Sequence, residues 1–253
     1  MEPIGYIILL VVCFIAAIIG TMMGMAMLII PPTLIFLGIP IHTAIATSRF
    51  SALGIGLGNI ATFAKQGTMK KEYIVPFVIG GVLGAISGAL LMKGISERTL
   101  ELLLGSFMVF ISIVIFFDDR LKRIKPQLHE ISWKHHLFGI LAGYLLGAYI
   151  GVIGGGAATL IIFLLVLIYG LNMHEALANQ KAITFPITFV AAIVFVTQGL
   201  IDYKLAIPML LANFAGGHVG VRLALKTRPT WLKNLLVPIT ILFGLWMISS
   251  GLS

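Results

Sequence analysis

The sequence predicts an all-α polytopic membrane protein built from two inverted repeats of about five membrane segments each, with eight helices as the alternative count. Three observations predict it. The chain is 59% hydrophobic and only 10% charged, whereas a soluble domain carries about 25% charged residues. Its apolar runs are near the length a helix needs to cross a bilayer. A set of helix-breaking and polar residues also recurs at one fixed spacing.

The runs Ile4–Ile19, Tyr73–Met92, Leu100–Phe117 and Leu232–Ile248 are almost free of charge. Each approaches the roughly 20 residues that span about 30 Å of hydrocarbon. The short polar links between them leave little room for a soluble domain. The net charge of +8 is no nucleic-acid signal, because Lys and Arg gather in a few links, where they set membrane orientation. Cys13 is the only cysteine, which excludes an internal disulfide and Cys-based metal sites. The opening Met1-Glu2-Pro3 lacks the basic front of a secretory signal, so the first run is expected to stay as a membrane segment.

The repeat is read from paired residues. His42 in Ile39-Pro-Ile-His-Thr-Ala-Ile-Ala46 matches His174 in Leu171-Asn-Met-His-Glu-Ala-Leu-Ala178, an offset of 132 (174 minus 42). At that offset Gly24 pairs with Gly156, Gly38 with Gly170, and Gln66-Gly67 with Gln198-Gly199. Pro76, Gly84 and Gly88 pair with Pro208, Gly216 and Gly220. Shared apolar letters arise by composition; recurring His, Gln-Gly, Pro and Gly do not. The halves are 1–117 and 137–253, joined by a polar link over 118–136.

Each half opens with about 35 apolar residues, Ile4–Ile39 and Leu137–Leu171. As one helix this would run about 50 Å, too long for a bilayer core. Glycines interrupt it near Gly20–Gly24 and Gly151–Gly156, so two short segments joined by a break are expected, then three full helices. Five segments per half invert the second copy. The basic residues agree: Lys65, Lys70 and Lys71 in one link face only Lys204 in its mate. The link with Lys93 and Arg98 has a mate holding Arg222, Lys226, Arg228 and Lys233, and the central link adds Arg120, Lys122, Arg123, Lys125 and Lys134. With ten segments the three richest links lie on the cytoplasmic side and both termini outside.

The helix after each break begins with a polar cluster, Ala44-Ile-Ala-Thr-Ser-Arg49 and Ala176-Leu-Ala-Asn-Gln-Lys181. Arg49 and Lys181 fall about two turns inside helices expected over His42–Ala64 and His174–Val196. A cation there is costly in lipid and should face the interior or water. Thr47, Ser48, Asn179 and Gln180 add neutral hydrogen-bonding groups, and the breaks at Gly24 and at Gly154, Gly155 and Gly156 aim helix ends at an anion. These ten residues form the candidate binding set. The plainer readings are that Arg49 and Lys181 snorkel to an interface, that the neutral groups join helices, and that the glycines serve close packing. His42 and His174 read as helix caps, Glu175 as a partner of a helix dipole, and His218 as a core histidine rather than a proton relay. Gln66 and Gln198 read as helix ends, and Asp118, Asp119, His129, His135 and His136 as a solvated loop.

The apolar runs hold no Asp or Glu at their middles, which argues against a carboxylate-lined cation pathway. No Gly-x-x-x-x-Gly-Lys-Ser/Thr run is present for ATP, and no His-Glu-x-x-His or nucleophile elbow for an intramembrane enzyme. No metal or other cofactor is expected. The partners expected are a small anion and the lipid bilayer, with no nucleic acid, and a homo-oligomer is compatible with this.

The glycine breaks followed by an Ala-x-Ala-Thr-Ser/Asn-Arg/Lys cluster, twice over, resemble the sulfite exporter TauE/SafE family. The residues that carry the likeness are Gly24 with Ala44–Arg49, and Gly154-Gly-Gly-Ala with Ala176–Lys181. In the first half Gly24-Met25-Ala26-Met27 departs from the fuller glycine run. The resemblance implies export of sulfite, sulfonates or related sulfur anions across a bacterial or archaeal cytoplasmic membrane. The residues themselves argue only for a small anion; the expectation is a secondary transporter working by alternating access around a central cationic site. A passive anion channel and a non-transporting scaffold or assembly factor are the rival expectations, and an enzyme is not expected.

Overall fold

A chain in hydrocarbon has no water to satisfy its backbone, so its apolar runs close their hydrogen bonds internally as helices. A computed structural model describes residues 3–65, 69–116, 132–226 and 230–252, and all regular structure there is helical. In the first half α1 (Pro3–Met23) is followed by a single 3-10 turn (Ala26–Leu28) and a short α2 (Ile30–Phe36). Then come α3 (Ile41–Ser51), α4 (Leu53–Ala64), α5 (Lys71–Met92) and α6 (Glu97–Phe116). The second half holds α7 (Trp133–Val152), α8 (Ala157–Leu167), α9 (Met173–Thr197), α10 (Tyr203–Lys226) and α11 (Thr230–Leu252).

Shifted by 132 residues, the helices of the first half fall on those of the second within a few residues at each end. The packing obeys the same exchange. Helix α5 lies along α7, and its mate α10 lies along α1, the mate of α7. Helix α9 packs on α5 as α3 and α4 pack on α10, while α6 and α11, mates of each other, pair together.

Among the described residues, α1, α5, α7, α9 and the stretch Glu97–Ile115 of α6 are long and apolar enough to cross a membrane. Their outward residues suit lipid. Ile4, Ile8, Val11 and Ile15 along α1, and Val75, Ile79, Leu83 and Leu90 along α5, are all exposed. The polar residues lie inside: Thr21, Ser48, Arg49, Asn59, Asn179, Gln180, Lys181 and Asn213 are buried. A soluble fold has the opposite distribution. The chain is a membrane protein.

Two details depart from the sequence reading. The expected pair of short segments is a full-length helix followed by a short one, because the glycines fall after about 20 residues rather than at mid-helix. Helix α2, at 7 residues, rises only about 10 Å, and Pro31 and Pro32 are placed at its start, where a missing N–H costs nothing. The helix expected over His42–Ala64 is interrupted at Ala52. Gly54, Gly56 and Gly58 follow, and glycine is a poor helix former. Its mate α9 runs unbroken through Pro186.

Close helix approach is secured by glycine. A Cβ on Gly80, Gly84 or Gly88 of α5 would strike the carbonyl oxygens of Ile140, Tyr144 and Ala148 on α7, and one on Gly147 would strike the Gly81 backbone. Small residues are what let helix backbones touch in a membrane. Helix α7 starts with Ser132, whose side chain accepts from Lys134 N–H, and α9 with Asn172, which accepts from His174 and Glu175 N–H. Glu175 returns the bond by accepting from Asn172 N–H at 3.1 Å. It completes a capping box.

Of the link 118–136, only 132–136 lie within the described residues; Asp118, Asp119, His129 and the basic residues Arg120–Lys125 lie outside them, as does Gln66. His42 reaches beyond its own helix: Nε2 lies 2.9 Å from the Ile95 carbonyl and Nδ1 3.8 Å from Glu97, tying α3 to the start of α6. His218 is exposed rather than in the core, because it falls on the outward side of α10.

Candidate functional site

Arg49 projects from α3 and Lys181 from α9, each two turns into its helix, and they are 3% and 7% exposed. Neither snorkels to the surface. Arg49 Nη2 donates to the Ile153 carbonyl at 3.2 Å, and Lys181 Nζ donates to the Gly20 carbonyl at 2.8 Å. Ile153 follows the last residue of α7, and Gly20 lies in the last turn of α1. Each cation therefore sits on the carboxyl end of the other half's opening helix, where the helix dipole is negative. The two acceptors are mates within one residue, since Ile153 shifted by 132 falls on Thr21. Among the described residues no carboxylate pairs with either cation. Arg49 Nε is buried with no hydrogen-bond partner among the described residues.

The breaks close around these cations. Gly154 adopts φ +74°, a left-handed conformation that favours glycine, and a Cβ there would fall on the Arg49 guanidinium. Gly24 adopts φ +81°, and its Cβ would lie 3.1 Å from Ala158 Cβ and 3.2 Å from Thr159 N. The two breaks thus cross at close range. Thr159 Oγ1 donates to the Met23 carbonyl at 3.3 Å, and Tyr149 OH donates to the Gly155 carbonyl at 2.6 Å.

A cavity of about 80 Å³, measured as room for the centres of water molecules, opens between the halves. Arg49, Lys181, Gln180, Gly24 and Gly154 line it. Ala26 and Met27 of the 3-10 turn, and Ala157 and Ala158 opening α8, also line it. A helix's first N–H groups have no partner within the helix, so α8 brings the positive end of its dipole to the cavity. The arrangement offers an anion two cations, an orphaned guanidinium N–H and a helix N-terminus. Its lining holds no acidic residue.

Five of the ten expected residues are brought together there, and five are not. Ser48, Gly155 and Gly156 are buried nearby but outside the lining. Thr47 and Asn179 turn away. Thr47 Oγ1 accepts from Asp202 N–H at 3.1 Å, and Asn179 Oδ1 accepts from Lys70 N–H at 2.9 Å. These bonds are mates of each other, and each fixes the chain just before the partner half's α10 or α5. Thr47→Val and Asn179→Leu are each expected to cost about 1 kcal/mol, the worth of a lost cap. The check is a lower Tm for each variant in detergent.

Sequence reasoning missed Asn59, Thr184 and Thr188, all of which line the cavity. Gln180, Thr184 and Thr188 form a polar i, i+4, i+8 stripe along α9, a visible signal for one helix face. Asn59 carries no such signal. It is buried with Nδ2 donating to Thr21 Oγ1 at 3.2 Å.

The family model described as sulfite exporter TauE/SafE matches residues 9–247. Among curated proteins the chain is similar to a probable membrane transporter protein of Haemophilus influenzae, 25% identical over 91% of this chain and 89% of that one. It is also similar to the probable membrane transporter protein ORF9 of a Sinorhizobium species, 26% identical over 95% and 91%. The probable membrane transporter protein YfcA of Escherichia coli is 22% identical over 94% and 87%. No solved structure matches the chain.

Proposed function

Because this chain belongs to the sulfite exporter TauE/SafE family, we propose that it is a secondary transporter that exports small anions such as sulfite or organosulfonates. The observation that carries this reading is a buried cation from each half beside one shared cavity, with no carboxylate among the described residues to neutralise either. Burying a charge is expensive unless it is paired. Backbone carbonyls offset part of that cost, and an anion between Arg49 and Lys181 offsets the rest.

In this reading the halves 1–117 and 137–253 are inverted copies that rock about the cavity and expose it to each side in turn. The richly basic links, including 118–136, face the cytoplasm of a bacterial or archaeal cell, and both termini face out. Substrate oxygens accept from Arg49 Nε and from Lys181 Nζ, and the N-terminus of α8 adds its dipole. The protein performs no covalent chemistry, in keeping with the transporter names of its relatives.

The test is sulfite flux in proteoliposomes. Arg49→Ala and Lys181→Ala are each expected to slow it by about ten- to a hundredfold, the range for losing a hydrogen bond to a charged group. Lys93→Ala, an exposed link residue, leaves it unchanged. Saturation and counterflow distinguish a carrier from a passive channel. Absence of flux for every anion tried would favour a scaffold and end the proposal, as would wild-type flux in both alanine variants.

A further inference from the structure

Gln180 lines the cavity, and its side chain keeps an acceptor that no group among the described residues uses. Gln180 is 1% exposed and lines the cavity next to Lys181. Its Nε2 donates to Thr184 Oγ1 at 2.9 Å, and Thr184 Oγ1 in turn donates to the Gln180 backbone carbonyl at 2.9 Å. A hydroxyl has one hydrogen. With that hydrogen committed to the carbonyl, the threonine oxygen can only accept, so the amide must offer it the NH₂ group. The orientation of the amide is thereby fixed, and Oε1 points the other way, buried and without a partner among the described residues. Asn59, on the opposite half and also lining the cavity, repeats the pattern: its Nδ2 is used on Thr21 while Oδ1 is buried and unpartnered among the described residues.

A ligand made only of acceptor oxygens satisfies Arg49 Nε and Lys181 but sets lone pairs against these amide oxygens. A ligand that also carries a donor satisfies both sets. Resting on the anion-transport reading above, we propose that the substrate is a small anion bearing an O–H or N–H group, and that Gln180 Oε1 accepts that hydrogen. The class comprises hydrogen oxyanions and hydroxy- or amino-substituted sulfonates; fully substituted anions without a donor are poor ligands. Sites built to hydrogen-bond a donor discriminate strongly against analogues that lack it, because the buried partner is then left unpaired.

Sulfamate and methanesulfonate test this directly. Both are single-charged tetrahedral anions of similar size at neutral pH, and they differ in an NH₂ against a CH₃. Calorimetric titration of the purified full chain in detergent is expected to show sulfamate at least about tenfold tighter. In Gln180→Met the ratio of the two affinities is expected to fall close to one. Equal affinity of the two anions for the unmodified protein overturns the proposal while leaving the anion site standing. A wild-type ratio retained in Gln180→Met overturns the assignment to Gln180. Should that variant not fold, Thr184→Val replaces it: the amide is freed to turn, and the ratio is expected to fall. Binding of neither anion, nor of sulfite, brings down the anion-site reading and this one together.

Discussion

Gly147→Leu is expected to leave no folded protein. Even the first carbon of the new side chain would lie 2.6 Å from Gly81 Cα on α5, and closer still to the Gly81 carbonyl oxygen. The obstacle is backbone, which has no rotamer to yield. Across the same interface Gly84 meets the carbonyl of Tyr144, and Gly88 that of Ala148, so α5 and α7 touch along about three turns with no side chain between them. Leucine would push the helices apart and unpack the whole seam. Modest overpacking costs about 1–3 kcal/mol, and a rigid seam without slack puts this case beyond that range. The check is the loss of a monodisperse peak in size-exclusion chromatography. Leu145→Ala, two residues away on the same helix but 68% exposed, should elute as the unmodified protein does.

Gly154→Val is expected to separate function from folding. At φ +74° a side chain costs about 1–2 kcal/mol in the backbone alone, a loss that should lower Tm by a few degrees. The larger effect is local. The atom that the new Cβ displaces is the end of the Arg49 side chain, a flexible group that can retreat where a backbone cannot. Its bond to the Ile153 carbonyl then breaks, and the guanidinium leaves the position that Gly154 frames. Anion flux in proteoliposomes is expected to drop at least tenfold, comparable to Arg49→Ala, while the protein still elutes as one species. Wild-type flux in Gly154→Val would show that the position of Arg49 is immaterial to transport.

The succession of helices was legible in the sequence because the residues paired at an offset of 132 are ones that composition does not scatter at random, and at that offset the helices over 3–116 fall near those over 133–252. The burial of Arg49 and Lys181 was legible too, since a charge two turns inside an apolar helix has few places to go. Thr47 and Asn179 are expected either beside those cations or joining helices, and they do the second. Adjacent residues on a helix point about 100° apart, and the backbone groups they bind lie 155 and 109 residues away, beyond the reach of any local pattern. The stripe Gln180, Thr184, Thr188 was present in the letters, but its mate reads Ser48, Ala52, Gly56, and a search for matched polar pairs passes over it. Asn59 became a lining residue only through the crossing of α1 and α4, which sequence spacing does not encode.

Arg49 and Lys181 each find their carbonyl on the opposite half, and so do Thr47 and Asn179 with their amides. Reciprocity of this sort is the bonding scheme of a homodimer. It requires that both halves be present, yet none of these bonds requires that they be joined by a peptide chain. A lone half would enter lipid with an unmatched charge, so joining both in one chain guarantees every molecule its complement at any level of expression.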